Sequence, residues 1–195
     1  ALKDPLNNLN ILFNINRLVE NCSDIKKIEL LEDKWILSRL NSLIKKTSQL
    51  IEELRLFEGM RMLQDFWLKD FSRGYIQIVR ERIAENDEVV NYIIKKVYLN
   101  LVKMCAPMIP FITEVIWSDM KSKKIVEEES VHLTGWPKED IKKIDEKLEQ
   151  DFELARKIIE FGMAERDKEK IGLRWPLSKA LVKANSELNE DFKEI

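Results

Sequence analysis

Glycine and proline are scarce in this chain, five of each among 195 residues. Turn-rich β folds draw on both at their corners. The shortage, with charged residues at 35% of the chain, favours long amphipathic helices and an all-α fold. Histidine occurs once, as His132, with no Asp, Cys or second His at ligand spacing. It reads as a structural or surface residue rather than a base or metal ligand. The two cysteines, Cys22 and Cys105, form no CxxC or other metal pattern, and each falls in an apolar helical pattern. That reads as buried free thiols in a reducing compartment. No run of 18 apolar residues and no signal-peptide pattern is present, so neither a membrane partner nor secretion is expected. Phosphate-cradling loops of the GxxxxGK[ST] or GxGxxG type are absent, and the carboxylates are scattered along helix surfaces. No catalytic constellation and no metal site is expected. The formal net charge of −2 excludes a generic polyanion binder, so any nucleic acid must meet a local patch on a near-neutral body. The opening ALKDPLNNLN lacks Met and reads as cut from something longer.

What is present is helical periodicity. Asp4-Pro5 reads as a cap and first turn of a helix running to about Asn21, with Leu6, Leu9, Phe13, Asn16 and Val19 on one face. Asn14 and Arg17 share its polar side. Asp33 reads as the cap of a helix over 34–54, with Ile36, Leu40, Leu43, Thr47, Leu50 and Leu54 as its seam. A central helix over 57–83 should pack against it as an antiparallel hairpin, burying Leu63, Trp67, Phe71, Tyr75 and Ile78. Asp87 should cap a fourth helix with Val90, Ile93, Ile94, Val97, Leu101 and Met104 in the core, ended by Pro107 and Pro110. A short fifth helix over 111–120 follows, and then SVHLTGW (130–136), which reads as extended. Ile141, Ile144, Leu148, Phe152, Ala155, Ile159 and Gly162 trace a sixth helix to about Arg166. A basic loop follows, then a short strand over 179–182 and a last helix capped by Ser186. Trp35, Trp67 and Trp117 lie within seams and read as core. The division expected is 1–137 as a helical bundle and 138–195 as a C-terminal helix, loop and junction.

Two stretches carry binding chemistry. Arg73, Gln77 and Arg80 are spaced four and three apart, so their side chains project from one face of the central helix. Arg166, Lys168, Lys170 and Arg174 fall together and Trp175 follows directly. Cations that hold phosphates beside a ring that stacks an unpaired base suit single-stranded nucleic acid.

Four stretches in order carry a resemblance: KWILSRLNSLI (34–44), DFSRGYIQIVRER (70–82), APMIPFITEVIW (106–117), and the pair SVHLTGWP (130–137) with KIGLRWPL (170–177). Together they resemble the C-terminal helical domain of class Ia aminoacyl-tRNA synthetases of the branched-chain group. Within that group the SVHL and GLRWPL elements are most similar to the isoleucine-specific family in its archaeal or eukaryotic style. The alternatives are the equivalent valine-specific domain or a helical protein-interaction scaffold. Gly74 departs from the family's pattern, which commonly has tryptophan after the Ser-Arg, and is expected to vacate volume at that helix face. Met120-Lys121-Ser122-Lys123 shares letters with a class I signature loop in an order that does not match it.

The resemblance implies an antiparallel bundle of the anticodon-binding type that grips a tRNA anticodon stem-loop. It implies a monomer in the cytoplasm, with no DNA partner. Cofactors are expected only in the full-length enzyme, where ATP and magnesium would serve to join isoleucine to its tRNA. The residues it puts forward for tRNA are Asn14, Arg17, Arg73, Gln77, Arg80, Arg82, Arg166, Lys168, Lys170, Arg174 and Trp175.

Overall fold

A computed structural model describes residues 3–20, 22, 27–172, 174–177 and 179. Every element among them is helical: α1 (Lys3–Ile15), α2 (Leu31–Glu52), α3 (Leu56–Asp65), a π-helical segment (Phe66–Tyr75), α4 (Ile76–Ile78), α5 (Arg80–Ala84), α6 (Glu88–Cys105), α7 (Pro110–Ser122) and α8 (Glu146–Lys168). Short 3-10 turns cover Asn16–Leu18, Val131–Leu133 and Ile141–Lys143. No helix among the described residues is long and apolar enough to cross a membrane. The chain forms two compact units, Ala1–Ile144 and Asp145–Ile195.

The scarcity of glycine shows at the helix ends. Where helices usually stop on a left-handed glycine, this chain uses Leu54 (φ 62°), Asn86 (φ 58°), Lys124 (φ 59°) and Lys170 (φ 57°). At each, the next backbone N–H reaches back five residues: Arg55 to Leu50, Asp87 to Arg82, Ile125 to Met120 and Ile171 to Arg166. That is the Schellman closure, which satisfies carbonyls the helix leaves without partners.

In the first unit, α2 and the α3–π–α4 rod pack antiparallel. The register is fixed by Gly59 against Thr47 and Ile51, by Arg39 on Asp70 at 2.7 Å, and by the Tyr75 hydroxyl donating to Asp33 at 2.7 Å. The core of α6 is as its periodicity dictates, with Val90, Ile93, Ile94, Val97, Leu101 and Met104 all fully buried. Asp87 caps α6 by accepting from the backbone N–H groups of Val89 and Val90. The Pro107–Pro110 corner turns the chain into α7. The first helix is anchored to α6 and α7, since the Tyr98 hydroxyl donates to the Leu12 carbonyl at 2.8 Å and the Asn16 amide donates to Asp119 at 2.5 Å. The stretch from Trp136 to Asp140 then runs along α2, with the Trp136 indole N–H on the Ser48 hydroxyl and the Asp140 N–H on the Asn41 side chain.

Several boundaries differ from the expectation. The first helix stops at Ile15 and tightens into a 3-10 turn instead of reaching Asn21, and its buried face runs through Leu12, Ile15, Asn16 and Val19 while Leu6 is exposed. Helix α2 begins at Leu31, with Leu30 at the cap position. Asp33 is therefore inside the first turn, buried and bonded to Tyr75 and Arg82. The central rod is not one α-helix. Its buried residues are Leu63, Trp67, Phe71, Tyr75 and Val79, while Ile78 is exposed. A strict four-residue repeat drifts by about 40° per step on a 3.6-residue helix, so it could not stay in the core for four steps. The wider π turn drifts the other way and keeps the row facing α2. The Phe66, Phe71 and Tyr75 rings stack successively along it. The 130–136 stretch is not wholly extended: Val131–Leu133 form a 3-10 turn, capped by the Ser130 hydroxyl accepting from the His132 N–H.

Gly74 vacates nothing. A Cβ there would meet the Trp35 ring at 3.2 Å and the Lys69 carbonyl oxygen at 2.9 Å, so the indole of α2 already occupies the space.

In the second unit, the Asp145 side chain caps α8 by accepting from the Leu148 N–H. Leu148 and Phe152 are buried, but Ile159 is exposed and Ile141 lies outside the helix altogether. The apolar periodicity of this segment is thus realised only over its first turns. The strand expected over 179–182 and the cap at Ser186 lie outside the described residues, Lys179 excepted.

Candidate nucleic-acid interface

Sorting the first unit's arginines by what they touch separates two populations. Arg39 is paired with Asp70, Arg55 with Glu53 and Glu58, and Arg61 lies over the Phe57 ring. Arg82 is held by three carboxylates: Nη1 on Glu32 at 3.1 Å, Nη2 on Asp33 at 2.9 Å, and Nε on Asp87 at 2.9 Å. Burial works against its charge, but the bonds to Asp33 and Asp87 outweigh that and raise its pKa further. The same cluster, with burial acting first and the Asp33 charge second, lifts the Tyr75 phenol far above the ordinary tyrosine range. Glu81, its neighbour in sequence, is not among the partners of Arg82.

Arg17, Arg73 and Arg80 are different. Each is exposed and has no partner among the described residues, and the same holds for Gln77 and Asn14. Local structure explains why the rod presents them. Tyr75 and Val79 are fully buried, which turns Arg73, Gln77 and Arg80 outward between and beside them. Arg80 opens α5, just after Val79 leaves helical geometry at φ −91° and ψ 15°. Arg17 sits in the 3-10 turn that follows α1, a helix that itself packs against the π segment. The Asn16–Asp119 bond on one side of Arg17 fixes that turn.

Arg82 therefore differs from its neighbours on the rod in having its guanidinium committed to the fold. Its place two residues after Arg80 in the sequence carries no information on the carboxylates that α2 and the start of α6 bring to it.

In the second unit, Arg166 donates to the carbonyls of Gly172 at 2.7 Å and of Trp175 at 2.5 Å, closing the 166–175 loop on itself. Lys168 is paired with Glu165. Lys170 and Arg174 are exposed with no partner among the described residues. Trp175 is 72% exposed, with its ring edge over Gly172. Its indole is a surface plane and not a core plug. Among the described residues no group of three or more His, Cys, Asp or Glu could hold a metal ion. His132 lies 3.8 Å from Glu114 on the surface.

The exposed arginines can bond and neutralise phosphates and present flat donors to base edges, and in the second unit the Trp175 ring can meet an unpaired base. The profile of the family described as the anticodon-binding domain of tRNA ligase matches residues 33–181. The isoleucine–tRNA ligase of Thermococcus kodakarensis is 40% identical over 161 residues, covering 80% of this chain and 15% of that protein. That of Pyrococcus horikoshii is 39% identical over the same length and the same shares. That of Methanopyrus kandleri is 32% identical over 213 residues, covering 100% of this chain and 20% of that protein. The chain thus spans a fifth or less of the length of these relatives, and it belongs to the family of anticodon-binding domains of tRNA ligases.

Proposed function

We propose that this chain is the anticodon-binding part of an isoleucine–tRNA ligase and that it grips the anticodon stem-loop of an isoleucine-accepting tRNA. The observation that carries the reading is the set of exposed, unpartnered groups Arg17, Arg73, Gln77 and Arg80 on a body whose other arginines in the first unit all have partners. An arginine left without a carboxylate on a near-neutral protein is available to a phosphate or a base edge, both of which accept in the fork geometry of a guanidinium. Asn14 adds an amide beside Arg17, and Lys170, Arg174 and Trp175 form a second candidate contact with a stacking plane. Arg82 and Arg166 are committed to contacts within the fold, and Lys168 pairs with Glu165 on the surface.

The relatives' names support isoleucine over valine as the cognate amino acid. The full-length protein would join isoleucine to its tRNA using ATP and magnesium. No step of that chemistry is placed on this chain. Residues 1–137 would be the binding core, and 138–195 the helix, basic loop and junction. The domain would act as a monomer in the cytoplasm.

The test is titration of the chain with a labelled stem-loop of isoleucine tRNA and with one differing at a single anticodon base. Weaker binding to the altered loop, together with a loss on Arg80→Ala, supports the reading. Equal binding to both loops limits the role to gripping the backbone. Binding to an acidic protein, with none to either RNA in this chain or in the full-length enzyme, would replace it with the scaffold reading.

A further inference from the structure

We propose that Gly74 and Trp35 are positioning residues for RNA, setting the direction of Arg73 and Gln77 by holding the segment between them in π geometry. The proposal rests on the reading that RNA sits on the Arg73–Arg80 face.

A π turn brings the carbonyl of residue i−5 under residue i. At Gly74 that carbonyl belongs to Lys69, and it lies 2.9 Å from where a Cβ would be. A side chain at 74 would require that carbonyl or the glycine itself to shift. The other side of the glycine is closed by the Trp35 ring, 3.2 Å from the same point. Trp35 is itself buried in α2. The π segment is tied to α2 at two further points, Asp70 to Arg39 and Tyr75 to Asp33. Three α2 residues within two turns, Asp33, Trp35 and Arg39, thus hold Tyr75, Gly74 and Asp70. Arg73 sits between those ties and Gln77 just past them.

A residue in a π turn advances roughly 80° about the axis, against roughly 100° in an α turn. Gly74 and Tyr75 are the π residues that lie between Arg73 and Arg80, so their reversion to α geometry swings Arg73 relative to Arg80 by roughly 40°. That carries a guanidinium at the end of a long side chain away from a phosphate it would share with its neighbour. The buried row from Leu63 to Val79 accounts for a wide turn somewhere in the rod; the glycine and the indole fix it beside Arg73.

The experiment measures stem-loop affinity of the full 195-residue chain across a salt series, well below the unfolding midpoint. The slope of log K against log salt counts the cationic contacts made. Arg73→Ala should flatten it by about one contact. Gly74→Ala should flatten it equally, and the double variant should show no further change, because both remove the same contact. Trp35→Phe, which loosens the contact from α2 without adding a Cβ, should flatten it in the same sense and carries the test if Gly74→Ala does not fold. A role in packing alone would lower the unfolding midpoint and leave the slope at its wild-type value. Folded Gly74→Ala and Trp35→Phe with the wild-type slope, alongside a flattened Arg73→Ala, would overturn the positioning role alone. A wild-type slope in Arg73→Ala and Arg80→Ala would overturn the RNA face itself, and this proposal with it.

Discussion

Arg82 holds both carboxylate oxygens of Asp33, Nη1 at 3.1 Å from Oδ1 and Nη2 at 2.9 Å from Oδ2, at a point where Asp33 is 1% exposed. Two residues earlier, Arg80 stands in solvent with no partner among the described residues. Removing one side of a buried pair leaves an uncompensated charge, so Arg82→Ala should lower the free energy of unfolding by about 3 kcal/mol. Arg80→Ala should stay within about 0.5 kcal/mol of wild type and weaken RNA binding instead. Urea denaturation beside an RNA titration checks both. A stable Arg82→Ala chain with lost RNA affinity would reverse the assignment.

The contrast also marks what periodicity can disclose. The α6 core was legible because one helix buries a continuous face and Asp87 stands where a cap must. That Arg73, Gln77 and Arg80 lie off the buried row was legible from their spacing, but the directions they take were not, because these depend on the π turn at Phe66–Tyr75. Arg82 was not, because its partners come from α2 and from the start of α6, which only folding brings together. Nor was the filling of the space at Gly74, which depends on an indole 39 positions earlier in the chain. Spacing reports on neighbours within an element, and these are contacts between elements.

The carboxyl of Asp87 is a pH handle on the same cluster. Burial alone would raise it, but the Arg82 guanidinium and the N–H groups of Val90 and Val89 outweigh burial and hold it below its ordinary value of 3.8. A group whose pKa falls on folding stabilises above its unfolded value and loses that contribution as pH drops through its folded value. Asp87→Asn keeps the cap but removes the charge facing Arg82. At neutral pH it should be less stable by about 1 kcal/mol, a figure reduced because the pair is partly open to solvent. The gap from wild type should persist down to about pH 5 and close below about pH 4, as thermal midpoints across that range would reveal. A gap that stays constant into acid would show that this carboxylate does not contribute through its charge.

Trp175 is 72% exposed, whereas Trp35, Trp67 and Trp117 are 6%, 1% and 1% exposed. Iodide should therefore quench a component of the fluorescence that vanishes in Trp175→Phe. The stability of Trp175→Ala should lie within about 0.5 kcal/mol of wild type. If the ring stacks an unpaired base, the same variant should lose about 1–3 kcal/mol of RNA affinity, and bound RNA should shield the quenchable component. Quenching unaffected by RNA would remove Trp175 from the interface.

Ile78 and Val79 provide a direct test of the π geometry in solution. An α-helix from Leu56 onward would carry the buried row from Tyr75 to Ile78, three residues on, and leave Val79 to one side. The structure instead buries Val79 completely and leaves Ile78 45% exposed, because the wide turn at Phe66–Tyr75 has rotated everything after it. Truncating a fully buried valine removes two methyl groups and leaves a cavity that packed neighbours only partly fill, so Val79→Ala should cost about 2 kcal/mol. Ile78→Ala removes more carbon from a half-solvated site and should cost under about 1 kcal/mol. The larger residue is thus expected to matter less, the reverse of what side-chain size or an α-helical register would give. Urea midpoints for the two variants decide the matter: a greater loss at Ile78 than at Val79 would mean that the rod is α-helical through this region and that Arg73, Gln77 and Arg80 point in directions other than those described.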